Sequence, residues 1–588
     1  MISLFNPFQS TENRPFKRAI FIADGDFIKK VSNKGSVNQF IIKKITITLI
    51  FGLISTFAFS TEYFFSSTNG NNQNSGTSIE KPIKDLSEIS DLQLKAGDKI
   101  FLKKGDVFYG SIKLSNIVGQ LKNAVLLSSY GDGNQKPLID AKGELNGILI
   151  ENCSHIKVED IEITANGGSI TNYDVNKNYM RCGVFITTSR EGNFTGITLE
   201  NLYVRDIFFE EKGFNRGTAE ILTGNGTQNY GWGIRAISKK PKAVLNDILV
   251  SNCLIENVAH SGIRFTGDHA LGRKREKNIK KVKIHNNRVL RVGGPGLQVS
   301  VGEHVEFKGN HVNYSGSPDD SRKWGRGSGL WVWGCSNVLI EKNSFRNANG
   351  PADSAGCHID FNNNNVIVQY NLSENNDGGF CEILGNNYNC AYRYNVSIND
   401  GSREKIEGKT LVAGVMFWLA GFVGFGKTPK GPFNTYFYNN TIYVKDGINP
   451  EVAINKATKG VFIANNIFYL EGHASSDKRM QFRPESGPIP NVVFKNNLYL
   501  KEDNWPPPSE VMFSDKAPFF GDPQFANKGG SEIEDYTPKN YELIRNKGID
   551  IEMIPMDSIG LMGGLKVKTD ILGTKIKGMP DMGAIELD

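Results

Sequence analysis

The chain has 588 residues, of which 39% are hydrophobic and 22% charged, with 63 glycines. It exceeds one ordinary globular core, which stops growing at roughly 250–300 residues, so it is either several domains or a solenoid that grows by stacking. The composition excludes a disordered tail and a multi-span membrane protein. The formal charge of +6 sits mostly in residues 1–60, which hold eight Lys/Arg and three acids; the remainder carries 60 basic and 59 acidic residues, a net +1 that excludes a nucleic-acid partner.

Lys43 and Lys44 precede an uncharged apolar run from Ile45 to Ser60, which ends in Ala58-Phe59-Ser60. A short apolar run behind a basic flank, closed by small residues, predicts a secretory signal peptide within residues 1–60. The 42 residues before Lys43 are long for a leader, which leaves an over-extended gene start and an uncleaved membrane anchor as alternatives. Export to the periplasm or the cell exterior is expected, with no membrane contact after cleavage. The seven cysteines are odd in number and form no CxxC pair, which speaks against a disulfide scaffold and a zinc site. Cys153 and Cys253 each follow an Asn in similar strand contexts, and buried free thiols are expected.

From residue 61 a short pattern recurs: an alternating apolar strand, an Asn, then another short strand. ILVSNCLI, VKIHNNRV, VEFKGNHV, VLIEKNSF, VFIANNIF and VVFKNNLY are examples. The Asn positions are 201, 252, 287, 310, 343, 371, 395, 440, 466 and 497, with closest spacings of 23 and 24. Period-two alternation means strands with one face inward. A repeat near 23 with polar corners predicts the coils of a right-handed parallel β-helix over residues 61–502. Asn suits the corner because it tolerates left-handed backbone angles and its amide can bond the same amide one coil up. Residues 503–588 lose the coil pattern and carry NWPPPSE and FFGDPQFAN, which predicts an irregular C-terminal cap on the open helix end.

The opening YFFSSTNGNNQNSGTS with LKAGDKIFLKKGDVF, the coil array and the closing GDPQF and GAIE resemble the secreted pectate-lyase-like β-helix superfamily. The resemblance covers nearly the whole chain after residue 60. It implies a carbohydrate substrate and leaves the reaction open, because that superfamily holds both lyases and glycoside hydrolases.

Five of six tryptophans and the longest insertions fall between residues 205 and 432, so the middle coils are the place to look for chemistry. Aligned on their opening Gly, these coils read GIRAI (Gly233), GIRFT (Gly262), GLQVS (Gly296), GLWVW (Gly329), GCHID (Gly356) and GGFCE (Gly378). The third and fifth residues point outward. The third column is then Arg235, Arg264, Gln298, Trp331 and His358. The fifth is Ile237, Thr266, Ser300, Trp333, Asp360 and Glu382. In this alignment Asp360 and Glu382 stack on neighbouring strands, about 4.8 Å apart, where two carboxylates cannot comfortably both ionise. One shared proton suits a general acid plus a nucleophile, and the spacing suits a retaining glycosidase. Surface ladder residues are the plainer alternative.

An Asp and a Glu one coil apart resemble the catalytic pair of glycoside hydrolase family 120 β-xylosidases, which implies Asp360 as nucleophile and Glu382 as acid/base. The inserted sandwich domain of that family has no counterpart here, so its substrate is not implied. His358 shares the outward face and would orient a carboxylate, bind a hydroxyl or act as base. Arg235 and Arg264 suggest an anionic substrate, or else pair with Glu210 or Glu211. Trp331, Trp333 and Trp418 offer flat faces for sugar rings. No cofactor is expected; Asp319, Asp320 and Asp353 could bind calcium, although no EF-hand-type spacing supports it.

The leading expectation is an exported, monomeric, retaining glycoside hydrolase acting on plant or algal oligosaccharides or polysaccharides. The second is a polysaccharide lyase or oligosaccharide dehydratase acting at a uronate, with His358, Tyr388 or an arginine as base. The third is a non-catalytic glycan-binding β-helix.

Overall fold

The computed structural model describes residues 60–587, apart from 169–179, 218–219, 221–228, 408, 411, 477–490 and 506–513. Apart from Ser60, the segment read as a signal peptide lies outside the described residues, as does part of the 205–230 insertion. No described helix is long and apolar enough to cross a membrane.

The described chain winds into three parallel sheets of 14, 14 and 12 strands. Successive turns add a strand to each sheet in rotation, so strands are hydrogen-bonded to those of the coil before and the coil after. The first sheet runs from Glu62–Phe65 to Val492–Lys495, the second from Val107–Tyr109 to Phe519–Phe520, and the third from Ile112–Ser115 to Ser475–Ser476. The architecture is the all-β right-handed parallel β-helix that the repeat predicted.

Alternation explains why these segments are strands with one buried face. Val305, Val338 and Val366 sit opposite one another in register and are at most 1% exposed, as are the inward residues two positions on, Phe307, Ile340 and Val368. Such aliphatic columns fill the interior, each side chain stabilising the fold by about 1.5–3 kcal/mol.

The corner Asn residues form the expected ladder. From Asn287 through 310, 343, 371, 395, 440 and 466 to Asn497, each backbone N–H and side-chain amide donates to the Oδ1 of the next, at 2.9–3.1 Å. Asp515 closes the ladder, accepting from Asn497. One detail differs. The left-handed backbone angle belongs to the preceding residue: Asn286, Gly309, Lys342, Tyr370, Tyr394, Asn439, Asn465 and Asn496. Asn201 and Asn252 occupy that position themselves, and the ladder begins at Cys253, whose N–H donates to Asn287. All seven cysteines are buried and unpaired.

At the C-terminal end, Trp505 packs on Phe468, Phe494 and Tyr499, and Phe519–Phe520 extends the second sheet. The remaining segment runs back along the flank. Tyr536, Ile544, Met582 and Ile585 cluster with Val396, Tyr443 and Ile467, and Tyr370 donates to the carbonyl of Thr569.

Candidate functional site

The site stands on the outer face of the third sheet. Register there runs Arg235, Arg264, Gln298, Trp331, His358, Glu382, Trp418. The first five members are the column read from the sequence. The sixth corrects it: Glu382 lies opposite His358, not Asp360. The alternation of faces was right, since Cys381 and Ile383 point inward against Cys357 and Ile359. The slip is two residues along the strand. The opening Gly that marks the other coils is displaced in this one, where Phe380 takes the first place and packs against Tyr392 and Phe437. Gly379 instead stands opposite Ala355 with φ 134°, where a Cβ would lie 1.8 Å from the carbonyl of Val415.

Asp360 follows the strand Ala355–Ile359; its N–H donates to the carbonyl of Val332 and its carboxylate accepts from the N–H of Phe361 at 2.8 Å. It therefore sits two residues beyond the His358–Glu382 pair. The two carboxylates do not stack directly, and strand spacing alone no longer sets their separation.

A third carboxylate joins them. Asp353 comes from the loop before Ala355–Ile359 and is held by Arg326, whose Nε and Nη2 donate to its two oxygens at 2.8 and 3.3 Å. Asp353 and Ser354 both have left-handed backbones, at φ 53° and 66°, a strained pair of the sort that concentrates at functional sites. Arg403, from the loop before Val415–Leu419, donates to the carbonyls of Gly350 and Asp353 at 3.0 Å and so clamps this loop. Sequence reading weighed Asp353 only as a calcium ligand and passed over both arginines. Loop residues carry no period; the spare carboxylate close to GCHID was the available signal.

These groups set one another's protonation. Burial raises Asp360 to about 7, against the pull of the Phe361 N–H. Burial, then the charges of Asp353 and Asp360, push Glu382 well above the ordinary carboxylate range. Asp353 is held below its ordinary value by Arg326 despite its own burial. The cluster thus keeps a charge on Asp353 and a proton on Glu382, with Asp360 poised near neutrality. Burial lowers His358 to about 4, so the ring is neutral. Its Nδ1 lies 3.0 Å from Ser328 Oγ and 3.7 Å from Glu382 Oε2, and Trp331 meets its ring edge to face.

The aromatic residues divide. Trp331, Trp333 and Trp418 are half-buried along the carboxylate cluster, and the indole N–H groups of Trp331 and Trp333 have no protein partner. Trp232 and Trp324 are buried around His260 and anchor the insertions. Tyr388 stands on the first sheet, stacked on Phe433, and is not brought to this column. Arg235 and Arg264 are separated from His358 by Gln298 and Trp331. Glu210 pairs with Arg216 and not with them. Asp319, Asp320 and Asp353 are each paired with a separate cation, Lys323, Arg322 and Arg326.

Residues 274–442 match the family described as "Right handed beta helix region". A lacto-N-biosidase from Bifidobacterium longum subsp. longum is 23% identical over 624 aligned positions, covering 91% of this chain and 37% of the relative. The chain thus spans little more than a third of that protein. Two crystal structures of a GH136 lacto-N-biosidase from Eubacterium ramulus are also similar. The selenomethionine form has a TM-score of 0.52 and 19% identity over 82% of this chain and 71% of that one. The native form has a TM-score of 0.51 and 18% identity over 82% and 70%. The chain thus shares the right-handed parallel β-helix fold with these lacto-N-biosidases.

Proposed function

We propose that this protein is an exported glycoside hydrolase that cleaves oligosaccharides with retention at the anomeric carbon. The observation that carries the reading is the carboxylate cluster: three acids on one face of the third sheet whose surroundings drive their protonation apart, which is how acid and base roles are assigned to like groups. Its likeness to proteins named lacto-N-biosidase supports a glycosidase.

Asp360 attacks the anomeric carbon through a carboxylate oxygen while Glu382 gives its proton to the departing glycosidic oxygen. The C–O bond to the leaving sugar breaks, and a glycosyl ester of Asp360 forms. Water then attacks the same carbon, Glu382 takes its proton, and Asp360 is released as carboxylate. Asp353, charged and fixed by Arg326, keeps the proton on Glu382 between turnovers. Neutral His358, held at Nδ1 by Ser328, stands beside Glu382. Trp331, Trp333 and Trp418 supply faces for the sugar rings. The charge of Asp360 is felt at Glu382, so the two carboxyls lie within electrostatic reach of each other, as retention requires of a pair about 5 Å apart.

The test is a pair of variants assayed on a panel of plant, algal and milk-type oligosaccharides. Asp360→Asn and Glu382→Gln should each lower kcat by roughly a thousandfold or more. Azide should restore turnover in Glu382→Gln on substrates with a good leaving group. Full activity in either variant would remove that residue from the mechanism.

A further inference from the structure

Upstream of the carboxylates, the same outward column turns from acidic to basic. Arg235 and Arg264 stand opposite each other on neighbouring strands, 3% and 7% exposed. Neither forms an ion pair among the described residues. Arg235 donates Nη1 to the carbonyls of Ala236 and Arg264, at 3.0 and 3.1 Å; its Nε and the Nε of Arg264 are buried with no partner. Both guanidinium groups lie over Trp232, at 5.1 and 5.4 Å from its ring. Asp268, two residues after Thr266, accepts from the N–H of Ala270 at 2.8 Å.

Two adjacent buried cations repel each other, and burying an unpaired charge costs several kcal/mol. Burial and the neighbouring Arg264 both drive Arg235 down, and burial lowers Arg264 to about 10. A contact over one indole offsets only part of that cost. Beside them Gln298 keeps its Oε1, and Thr266 its hydroxyl, without a partner. Gln298 Nε2 lies 3.2 Å from Ser300 Oγ. Arg264, Gln298, Thr266 and Ser300 belong to two adjoining strands in register. This is a built polar cradle with excess positive charge and spare donors.

We propose that Arg235, Arg264 and Gln298 form a subsite for a sugar bearing an oxyanion, either a carboxylate or a sulfate ester. The assignment rests on the proposed function, with this outward face of the third sheet taking the substrate. Arg264 is three strands from His358, about 14 Å at the usual strand spacing, so the acidic sugar lies away from the bond that is cut. The polarity of this face fixes its direction: an anionic sugar is drawn to the arginine end and repelled from the end holding Asp353, Asp360 and Glu382. The guanidinium forks match the two oxygens of a carboxylate or the face of a sulfate.

Calorimetry on the full chain with glucose, glucuronic acid and glucose 6-sulfate tests this without any glycosidic bond being cut, so the outcome is independent of the hydrolase reading. At least one charged sugar should bind tenfold or more tighter than glucose, and the better of the two names the oxyanion. Arg264→Gln should abolish that preference without lowering the melting temperature, because it removes an unpaired buried charge. A structural arginine would show the opposite pattern, a lower melting temperature and an unchanged preference. Equal binding of all three sugars, or no binding of any, would overturn the proposal.

Discussion

His358 and Glu382 face each other on neighbouring strands, Nδ1 and Oε2 3.7 Å apart, and Asp360 sits two residues beyond them. Glu382 therefore shares its column with a neutral imidazole and not with a second acid. Its proton is held by burial and by charges set to the side, from Asp353 and Asp360.

The first consequence concerns the pH profile. Asp360 must be ionised to attack, and burial places it at about 7. Glu382 must be protonated, and burial and the neighbouring charges push its carboxyl up. The profile of kcat/KM should rise through about 7, as Asp360 ionises, and fall again where Glu382 loses its proton. An acidic limb near 4 would mean that a different carboxylate is the nucleophile.

Asp353 should act on that profile from outside the bond-making pair. Asp353→Asn removes the charge that acts most strongly on Glu382 and weakens the hold of Arg326 on this loop. The alkaline limb should move to lower pH, with a loss of roughly tenfold or more in kcat. A loss of activity with both limbs unmoved would mark Asp353 as a purely structural anchor of its loop.

Stability gives an independent reading of Asp360. Its carboxyl rises from 3.8 to about 7 on folding, so between those values the folded state binds more protons than the unfolded chain. Stability from this group is fully present below 3.8 and is lost as pH rises through 7. Asp360→Asn removes the penalty, so its melting temperature should exceed that of the parent at pH 8 and match it at pH 3.5. His358 pulls the other way between about 4 and 6.5, in parent and variant alike, and drops out of the difference.

The corner ladder was the most legible feature of the sequence. It repeats, and each Asn must satisfy the coil before and the coil after it, so spacing alone exposed it. Asn371 accepts from Asn343 and donates to Asn395, Ile340 and Gln369 at 2.9–3.0 Å. Asn371→Ala leaves several buried groups unpaired and should cost about 2–4 kcal/mol in urea unfolding, with activity retained below the transition. A variant as stable as the parent would mean the ladder is ornamental.

The site was legible only in part. Alternation gave the outward column from Arg235 to His358, because period two is a property of the strand itself. It could not give the offset of the coil holding Glu382, where Phe380 stands in the place of the usual Gly and shifts the frame by two residues. Asp353, Arg326 and Arg403 were out of reach for another reason. They sit on loops from three different coils, brought together by stacking, and no sequence spacing records that.

Reaction of the purified protein with an oligosaccharide panel in ¹⁸O-water, read by mass spectrometry and ultraviolet absorbance, tests the central claim most directly. The account predicts products that gain one ¹⁸O at the new reducing end, with no ultraviolet-absorbing double bond. A product carrying a double bond and no label would contradict hydrolysis and make the carboxylate cluster the seat of an elimination.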